Sequence, residues 1–573
     1  MSVHDPRAWE RPASRPANPI PYGVRRLTPS WRWLTEAMWW VEHAFGRARA
    51  NARPDEDTRV RIFLILSVFS AIFCALALGA ANAALLKPKG AAGLSSNPNA
   101  VSRGDIVDRN GALLATNITH YGLYVNPNEI WDPELAEAQI RRALPRVPVR
   151  KLRDVLSGDK RRMVVDRLTP QEKSAIHALA LGGVTFEPED RRVYPLGSSA
   201  RHILGVVDTG AQGISGSELA FNDEIRTAGE TGGSFALSID LRVQGVLENE
   251  LAAAASAVQA KGAVGVVADA STGEILGMAS WPTTDSLNRV TSGHYEMGSV
   301  FKTFTIAASI DTGRADMNTM FDASQPYMIG RRRITDFHAT NKILSLEEVY
   351  LHSSNIGTSR MAVELGPQVM RNYFDRLGLL DAAPIELHES ARPRRPQNWE
   401  DSTRASMSFG YGIMITPLQM TAATVALVNG GLYRPLSLRR GGTGAEGRRV
   451  VSPQTSHDIR ALMRANVLRG SGKTANAQGL RVGGKTGSAN KLVNGRYDAR
   501  HGVGSFAAVF PTDGPETTRR YVVFVLIDEP AMGSQLGGAV AAPTVGRVVD
   551  RIAAFLGVAR VADPLPVPMA APR

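Results

Sequence analysis

A chain of 573 residues has room for about four average domains and a large core. Its 66 Lys and Arg against 54 Asp and Glu leave a formal net charge of +12, which suits an anionic surface or polymer without saying which. The single cysteine, Cys74, lies in an apolar run, so the rest of the chain has no thiol for a disulfide, a thiolate nucleophile or a Cys-rich metal site. No H-E-x-x-H string supplies a helical zinc-protease site.

Residues 5–30 are rich in Pro and Arg and lack periodicity, the composition of a disordered tail. Trp31, Leu34, Met38, Val41 and Phe45 then recur at helical spacing, with Trp33, Trp39 and Trp40 beside them. This predicts an amphipathic helix that lies on the membrane surface or docks on a partner's helix. Residues 62–86 are almost wholly apolar, longer than the ~20 residues needed to cross a bilayer core. Arg47, Arg49, Arg53, Arg59 and Arg61 precede this run, and Lys87 and Lys89 are the only close cations beyond it. The charge rule for membrane orientation therefore puts residues 1–61 in the cytoplasm and the chain beyond about residue 87 outside. Cleavage at Ala81-Asn82-Ala83 is disfavoured by the length and late start of the run, and lipidation of Cys74 by the bulky Ile72 and Phe73 before it.

A linker occupies 87–99, and a first extracytoplasmic domain is expected at 100–235. Arg103-Gly104-Asp105-Ile106-Val107-Asp108-Arg109-Asn110-Gly111 leads into Leu113-Leu114-Ala115 and predicts a strand, an Asn-Gly turn and a return strand. Arg192-Val193-Tyr194-Pro195 and Gly213-Ile214-Ser215-Gly216-Ser217-Glu218 follow. The glycines suit a tight turn, and Glu218 reads as no more than a helix start.

A larger domain is expected at 236–558. Apolar runs at 263–269 and 274–279 predict a hairpin, runs at 505–510 and 521–527 predict another pair of strands, and 539–555 predicts a closing helix. Strands at both ends around a helical middle describe an α/β sandwich on an antiparallel sheet. The Pro-rich residues 559–573 read as a disordered end.

Three short strings within this domain carry chemistry. Ser299-Val300-Phe301-Lys302 opens a helical stretch, which sets the Lys302 ammonium on the same face as the Ser299 hydroxyl. Burial next to other cations would lower the pKa of such a lysine until it accepts the serine proton, and a helix N-terminus favours the negative charge of attack. Ser353-Ser354-Asn355 follows a predicted helix at 345–351. A loop there would offer the Ser353 hydroxyl as a proton relay and the Asn355 amide to a substrate peptide group. In Gly483-Gly484-Lys485-Thr486-Gly487-Ser488 small residues flank a cation, so a substrate backbone can approach, with Lys485, Thr486 and Ser488 directed at a carboxylate. The backbone N–H groups of Ser299 and Ser488 are the expected oxyanion donors.

Gly470-Ser471-Gly472-Lys473-Thr474 looks like the end of a phosphate-binding loop. That pattern requires glycine where Val467 stands, so nucleotide binding is set aside. Gly410-Tyr411-Gly412, Thr416-Pro417-Leu418-Gln419 and Gly537-Gly538 read as scaffold, with Thr416 capping a helix that Pro417 begins.

Each string is weak alone, but in this order and spacing they make the chain resemble the class B penicillin-binding proteins over about residues 100–555, most closely the septal cell-division type. The resemblance implies an α+β pedestal (dimerisation-like) domain and an α/β transpeptidase domain whose central antiparallel sheet is flanked by helices. It implies a serine D-Ala-D-Ala transpeptidase with no metal or organic cofactor. Ser299 would be the nucleophile, Lys302 the general base, Ser353 the relay and Asn355 the substrate amide. Lys485, Thr486, Gly487 and Ser488 would form the substrate-binding third motif, Ser488 also through its backbone N–H. The implied partners are peptidoglycan stem peptides and lipid-linked nascent glycan, β-lactam antibiotics, a SEDS-family glycan polymerase and divisome membrane activators at the inner membrane; no nucleic acid is called for. A β-lactamase is disfavoured because no E-x-x-L-N string lies between the second and third motifs, and a bifunctional enzyme because the pedestal occupies the space a glycosyltransferase would need. An elongation-type enzyme and a catalytically weak division scaffold are the alternatives. Met297, Ser488 and Asn490 depart from the commoner Pro, Thr and Gln, which bears on substrate preference and not on reaction type.

Overall fold

The computed structural model describes residues 103–561, a helical segment at 65–77, and residues 39 and 43. The Trp-rich helix, apart from those two positions, the linker and the end beyond 561 lie outside the described residues. Within the expected span, residues 65–77 are helical and exposed, with Phe69 and Phe73 open to their surroundings. Among the described residues no helix is long and apolar enough to cross a membrane.

The pedestal is built on the sheet that the Asn-Gly motif begins. Strands β1 (Asp105–Val107), β2 (Leu113–Val125), β3 (Arg162–Leu168), β4 (Val184–Val193) and β5 (Ser234–Ala236) are joined in the order β3-β2-β1-β5, and β4 also pairs with β2. In the turn, Asp108 Oδ1 accepts the N–H groups of Asn110 and Ala112, both at 2.8 Å, an Asx arrangement that holds the hairpin register. Asp108 Oδ2 accepts the N–H of Leu241 at 3.0 Å, and Arg109 pairs with Glu274 at 3.4 Å. The hairpin therefore reaches into the first helix and strands of the next domain.

Glu218 does lie in the first turn of a short helix, Gly216–Ala220, but it does more than start it. It is wholly buried between two arginines, bonded by Arg103 Nη2 at 2.7 Å and Arg192 Nε at 2.6 Å, with the Tyr194 hydroxyl at 3.3 Å. Arg103 continues to Asn222 Oδ1 at 2.6 Å. Residues of the Arg103, Arg192 and Gly213 strings of the pedestal thus meet in one ion cluster.

The larger domain has a five-stranded sheet of β6 (Ala260–Asp269), β7 (Ile275–Trp281), β8 (Gly483–Val493), β9 (Arg496–Phe510) and β10 (Tyr521–Pro530). Their order is β8-β9-β10-β6-β7, antiparallel throughout. Val264, Val266 and Ala268 pack into one core and Ala263 and Val267 into another, as strand alternation requires. Both faces are covered, which is why these strands read as continuous apolar runs.

On one face lie α1 (Leu241–Ala257) and, from the end of the chain, Ala542–Ile552. On the other lie α2 (Lys302–Asp311), α3 (Asn355–Arg376), α4 (Pro417–Val428) and α5 (Pro453–Arg469). Helix α4 is buried all round and begins with a full capping box between Thr416 and Gln419, as its start signal predicts. The expected single closing helix is two, Gly537–Val540 and Ala542–Ile552. Pro543 has no N–H to continue the first, so it begins the second.

Candidate active site

The Ser299 turn is held against its surroundings by backbone. Tyr295 and Ile415 exchange N–H···O bonds at 3.0 and 3.1 Å, and Glu296 Oε1 accepts Gly412 N–H at 2.6 Å and the Tyr497 hydroxyl at 3.0 Å. Gly298 has φ of +58°, and a Cβ there would stand 2.2 Å from the Ser488 carbonyl oxygen, so only glycine brings the turn onto β8. Ser299 lies in a 3₁₀ turn, Gly298–Phe301, and Lys302 is the first residue of α2; the sequence reading had a single helix. Ser299 is half-buried, and among the described residues its hydroxyl makes no hydrogen bond.

Lys302 and Lys485 are both completely buried, and both donate to one oxygen, Ser353 Oγ, at 3.0 Å each. Lys302 also donates to the Ser353 carbonyl, and Lys485 to the Thr486 carbonyl at 3.3 Å. Ser353 has the left-handed φ of +57°, uncommon for serine, and in that conformation its hydroxyl and carbonyl both meet Lys302. Burial, then the neighbouring Lys485 charge, hold the Lys302 pKa well below the usual lysine value, with Asp336 opposing. Burial brings Lys485 down to about 7. A neutral amine at Lys302 can accept a hydroxyl proton, and Ser353 Oγ is an oxygen that both lysines contact.

Asp336, which the sequence reading missed, ties down this loop. Its Oδ2 accepts the Ser354 hydroxyl at 2.7 Å and its Oδ1 accepts Ile356 N–H at 2.9 Å, while the Thr335 carbonyl accepts Asn355 Nδ2–H at 2.9 Å. Asn355 is the first residue of α3, not a loop residue, and among the described residues its Oδ1 accepts no hydrogen bond. We expect Asp336→Ala to cut penicillin acylation by about tenfold or more while costing ~1–3 kcal/mol of stability, the usual range for stranding buried donors. Fluorescent-penicillin kinetics and thermal melting measure the two effects, and unchanged kinetics would sink this role.

Ser299, Ser353, Asn355, Thr486 and Ser488 line one cavity of about 570 Å³, walled by Phe337, Phe409, Tyr411 and Leu536. Its size suits a small peptide. Ser488 Oγ accepts Gly537 N–H at 3.0 Å, which leaves its own proton for a ligand. Lys485 and Gly487 do not line the cavity. Lys485 acts from beneath through Ser353, and the side-chain space beside Gly487 is taken by the Met297 carbonyl, 2.3 Å from where its Cβ would be. The close approach expected of a substrate at these glycines is made by the protein itself. Tyr411 and Gly538, read as scaffold, face the cavity; a tyrosine between two glycines was the available signal for the first. Another cavity, of about 650 Å³ between His202, Ile214 and Leu287, contains none of these groups. Among the described residues no cluster of His, Cys, Asp or Glu could hold a metal.

A serine at the mouth of a cavity, paired buried lysines behind it and a hydroxyl-rich strand, together with a pedestal domain, fit a penicillin-reactive acyltransferase. Residues 263–550 match the penicillin binding protein transpeptidase domain and residues 98–232 the penicillin-binding protein dimerisation domain, so the chain belongs to the class B penicillin-binding proteins. It is 49% identical over 564 residues, 94% of this chain and 95% of the other, to a Caulobacter vibrioides protein named "Probable peptidoglycan D,D-transpeptidase FtsI". It is 29% identical to the Escherichia coli K12 peptidoglycan D,D-transpeptidase FtsI, across 79% of this chain and 83% of that one. Among solved structures, the apo transpeptidase domain of Burkholderia pseudomallei penicillin-binding protein 3 superposes with a TM-score of 0.52 at 32% identity, covering 56% of this chain and 96% of that one.

Proposed function

We propose that this chain is the septal peptidoglycan D,D-transpeptidase of its cell, with Ser299 as nucleophile. The observation that carries the mechanism is the convergence of two buried lysine amino groups at 3.0 Å on Ser353 Oγ, beside a cavity that Ser299 lines. Neutral Lys302 takes the Ser299 proton as Oγ attacks the carbonyl of the penultimate D-Ala of a donor stem pentapeptide. The Ser299 and Ser488 N–H groups hold the oxyanion, Asn355 holds the peptide group, and Thr486 and Ser488 hold the terminal carboxylate under the charge of Lys485. The proton passes through Ser353 to the leaving amine, and the terminal D-Ala departs. The amine of a neighbouring stem peptide then attacks the ester, gives its proton back along the same route and frees Ser299. A β-lactam enters as a donor whose leaving group stays attached.

The apolar run at 62–86 supports a single anchor in the inner membrane with the catalytic domain outside. A SEDS-family polymerase and divisome activators would be its partners at the septum. Incubating the purified protein with a fluorescent penicillin tests the core of this reading. Wild type should label stably and Ser299→Ala not at all, and wild type should also cross-link stem peptides. A folded wild type that never labels would favour the division-scaffold reading, and labelling of Ser299→Ala would remove Ser299 as nucleophile.

A further inference from the structure

The segment that imitates a phosphate loop lies against the third motif. Asn466, fully buried near the end of α5, organises it: its carbonyl accepts the N–H groups of Gly470 at 2.9 Å and Gly472 at 3.2 Å, and its Oδ1 accepts Ser471 N–H at 3.1 Å. Its Nδ2 donates to the Gly484 carbonyl at 2.8 Å, one residue before Lys485. A Cβ on Gly472 would sit 3.1 Å from both Asn466 Nδ2 and the Phe506 ring, so glycine here serves close packing and not phosphate binding. Pinned this way, Ser471 Oγ lies 2.6 Å from Thr486 Oγ1 and 3.3 Å from Asn466 Oδ1, and both hydroxyls line the cavity.

A hydroxyl has one proton to give, and an amide oxygen can only accept. If Ser471 gives its proton to Asn466, Thr486 must give its own to Ser471 and presents only lone pairs to the cavity, which repel a carboxylate. If Ser471 donates to Thr486, the Thr486 proton is released toward the cavity. The Ser471–Thr486 contact is much the shorter of the two.

We propose that Ser471 is a positioning residue for recognition of the donor's terminal carboxylate, directing the Thr486 proton onto it. This rests on the acyl-transfer reading above. The test compares acylation by a fluorescent penicillin as its free acid and as its methyl ester, both dye-labelled on the side-chain amide. Ser471→Ala should lose about tenfold in second-order acylation rate with the acid, the size of one hydrogen bond to a charged group, and essentially nothing with the ester. Ser471→Thr should restore the acid rate, and both variants should melt with wild type. Equal losses on acid and ester, or no loss on either, would overturn the proposal. A folded wild type that neither probe labels at Ser299 would instead overturn the acyl-transfer reading, and this proposal with it.

Discussion

Lys302→Met should abolish labelling by penicillin, a loss of about 10³-fold or more in acylation rate, and yet give a protein more stable than wild type by ~1–2 kcal/mol. The first effect follows from removing the only group bonded to Ser353 that also lies one helical turn from Ser299. The second follows from the cost of an ammonium with no exposed surface next to a second one. Its sign can be checked by pH. The folded state disfavours the charged lysine, so the penalty in wild type is greatest at and below the lowered pKa and fades as pH rises toward the ordinary value of 10.5. The stability advantage of Lys302→Met should shrink over the same range. Wild-type acylation should rise with pH in a range well below that ordinary value, as Lys302 sheds its proton. Denaturant unfolding and acylation rates across pH measure both, and a variant that is less stable at neutral pH would show that the lysine's hydrogen bonds outweigh its burial.

The largest effect on stability is expected at Glu218. Glu218→Ala removes the only carboxylate between Arg103 and Arg192, both of whose side chains are essentially inaccessible, and leaves two buried cations facing each other. Breaking such a cluster from one side typically costs ~3–5 kcal/mol, a large share of the stability of a small domain. Denaturant unfolding followed by a probe in the pedestal should register this loss. The triple change Arg103→Met, Glu218→Leu, Arg192→Met should recover much of it, since apolar side chains of similar volume need no partner. Penicillin labelling of the folded fraction should persist, because no member of the cluster lines the active-site cavity. A Glu218→Ala protein that unfolds with wild type would mean that water reaches the cluster.

The residues that the structure groups at the candidate site were legible because they are compressed in sequence. Ser299 and Lys302 are one turn apart, and Ser353-Asn355 and Lys485-Ser488 are each contiguous, so local spacing carries their geometry. The hairpins were legible from their period and from the Asn-Gly turn. What escaped was whatever depends on distant meetings. Asp336 reaches Ser354 and Ile356 across a strand and a helix, a separation that carries no local signature. Glu218 finds Arg103 from 115 residues away, and Ser471 finds Thr486 only because Asn466 bridges two elements. The break at Ala541 was visible in Pro543, but the apolar pattern runs through it. Strand order was out of reach, since alternation sets which face is buried and not which strand is next.

Strand β8 is the outermost of its sheet. An outer strand leaves backbone donors and acceptors unclaimed, and proteins commonly cover or crowd such rims because they seed aggregation between molecules. Here part of the rim is claimed from within: residues 483–487 are buried, Asn466 Nδ2 donates to the Gly484 carbonyl at 2.8 Å, and Asn490 N–H donates to the Tyr411 hydroxyl at 3.1 Å. Composition lowers its stickiness further: glycine at 483, 484 and 487 and a lysine turned inward make a poor template for another molecule's sheet. The glycines of the third motif would then protect solubility as well as allow close packing, and substituting β-branched side chains there would endanger both at once.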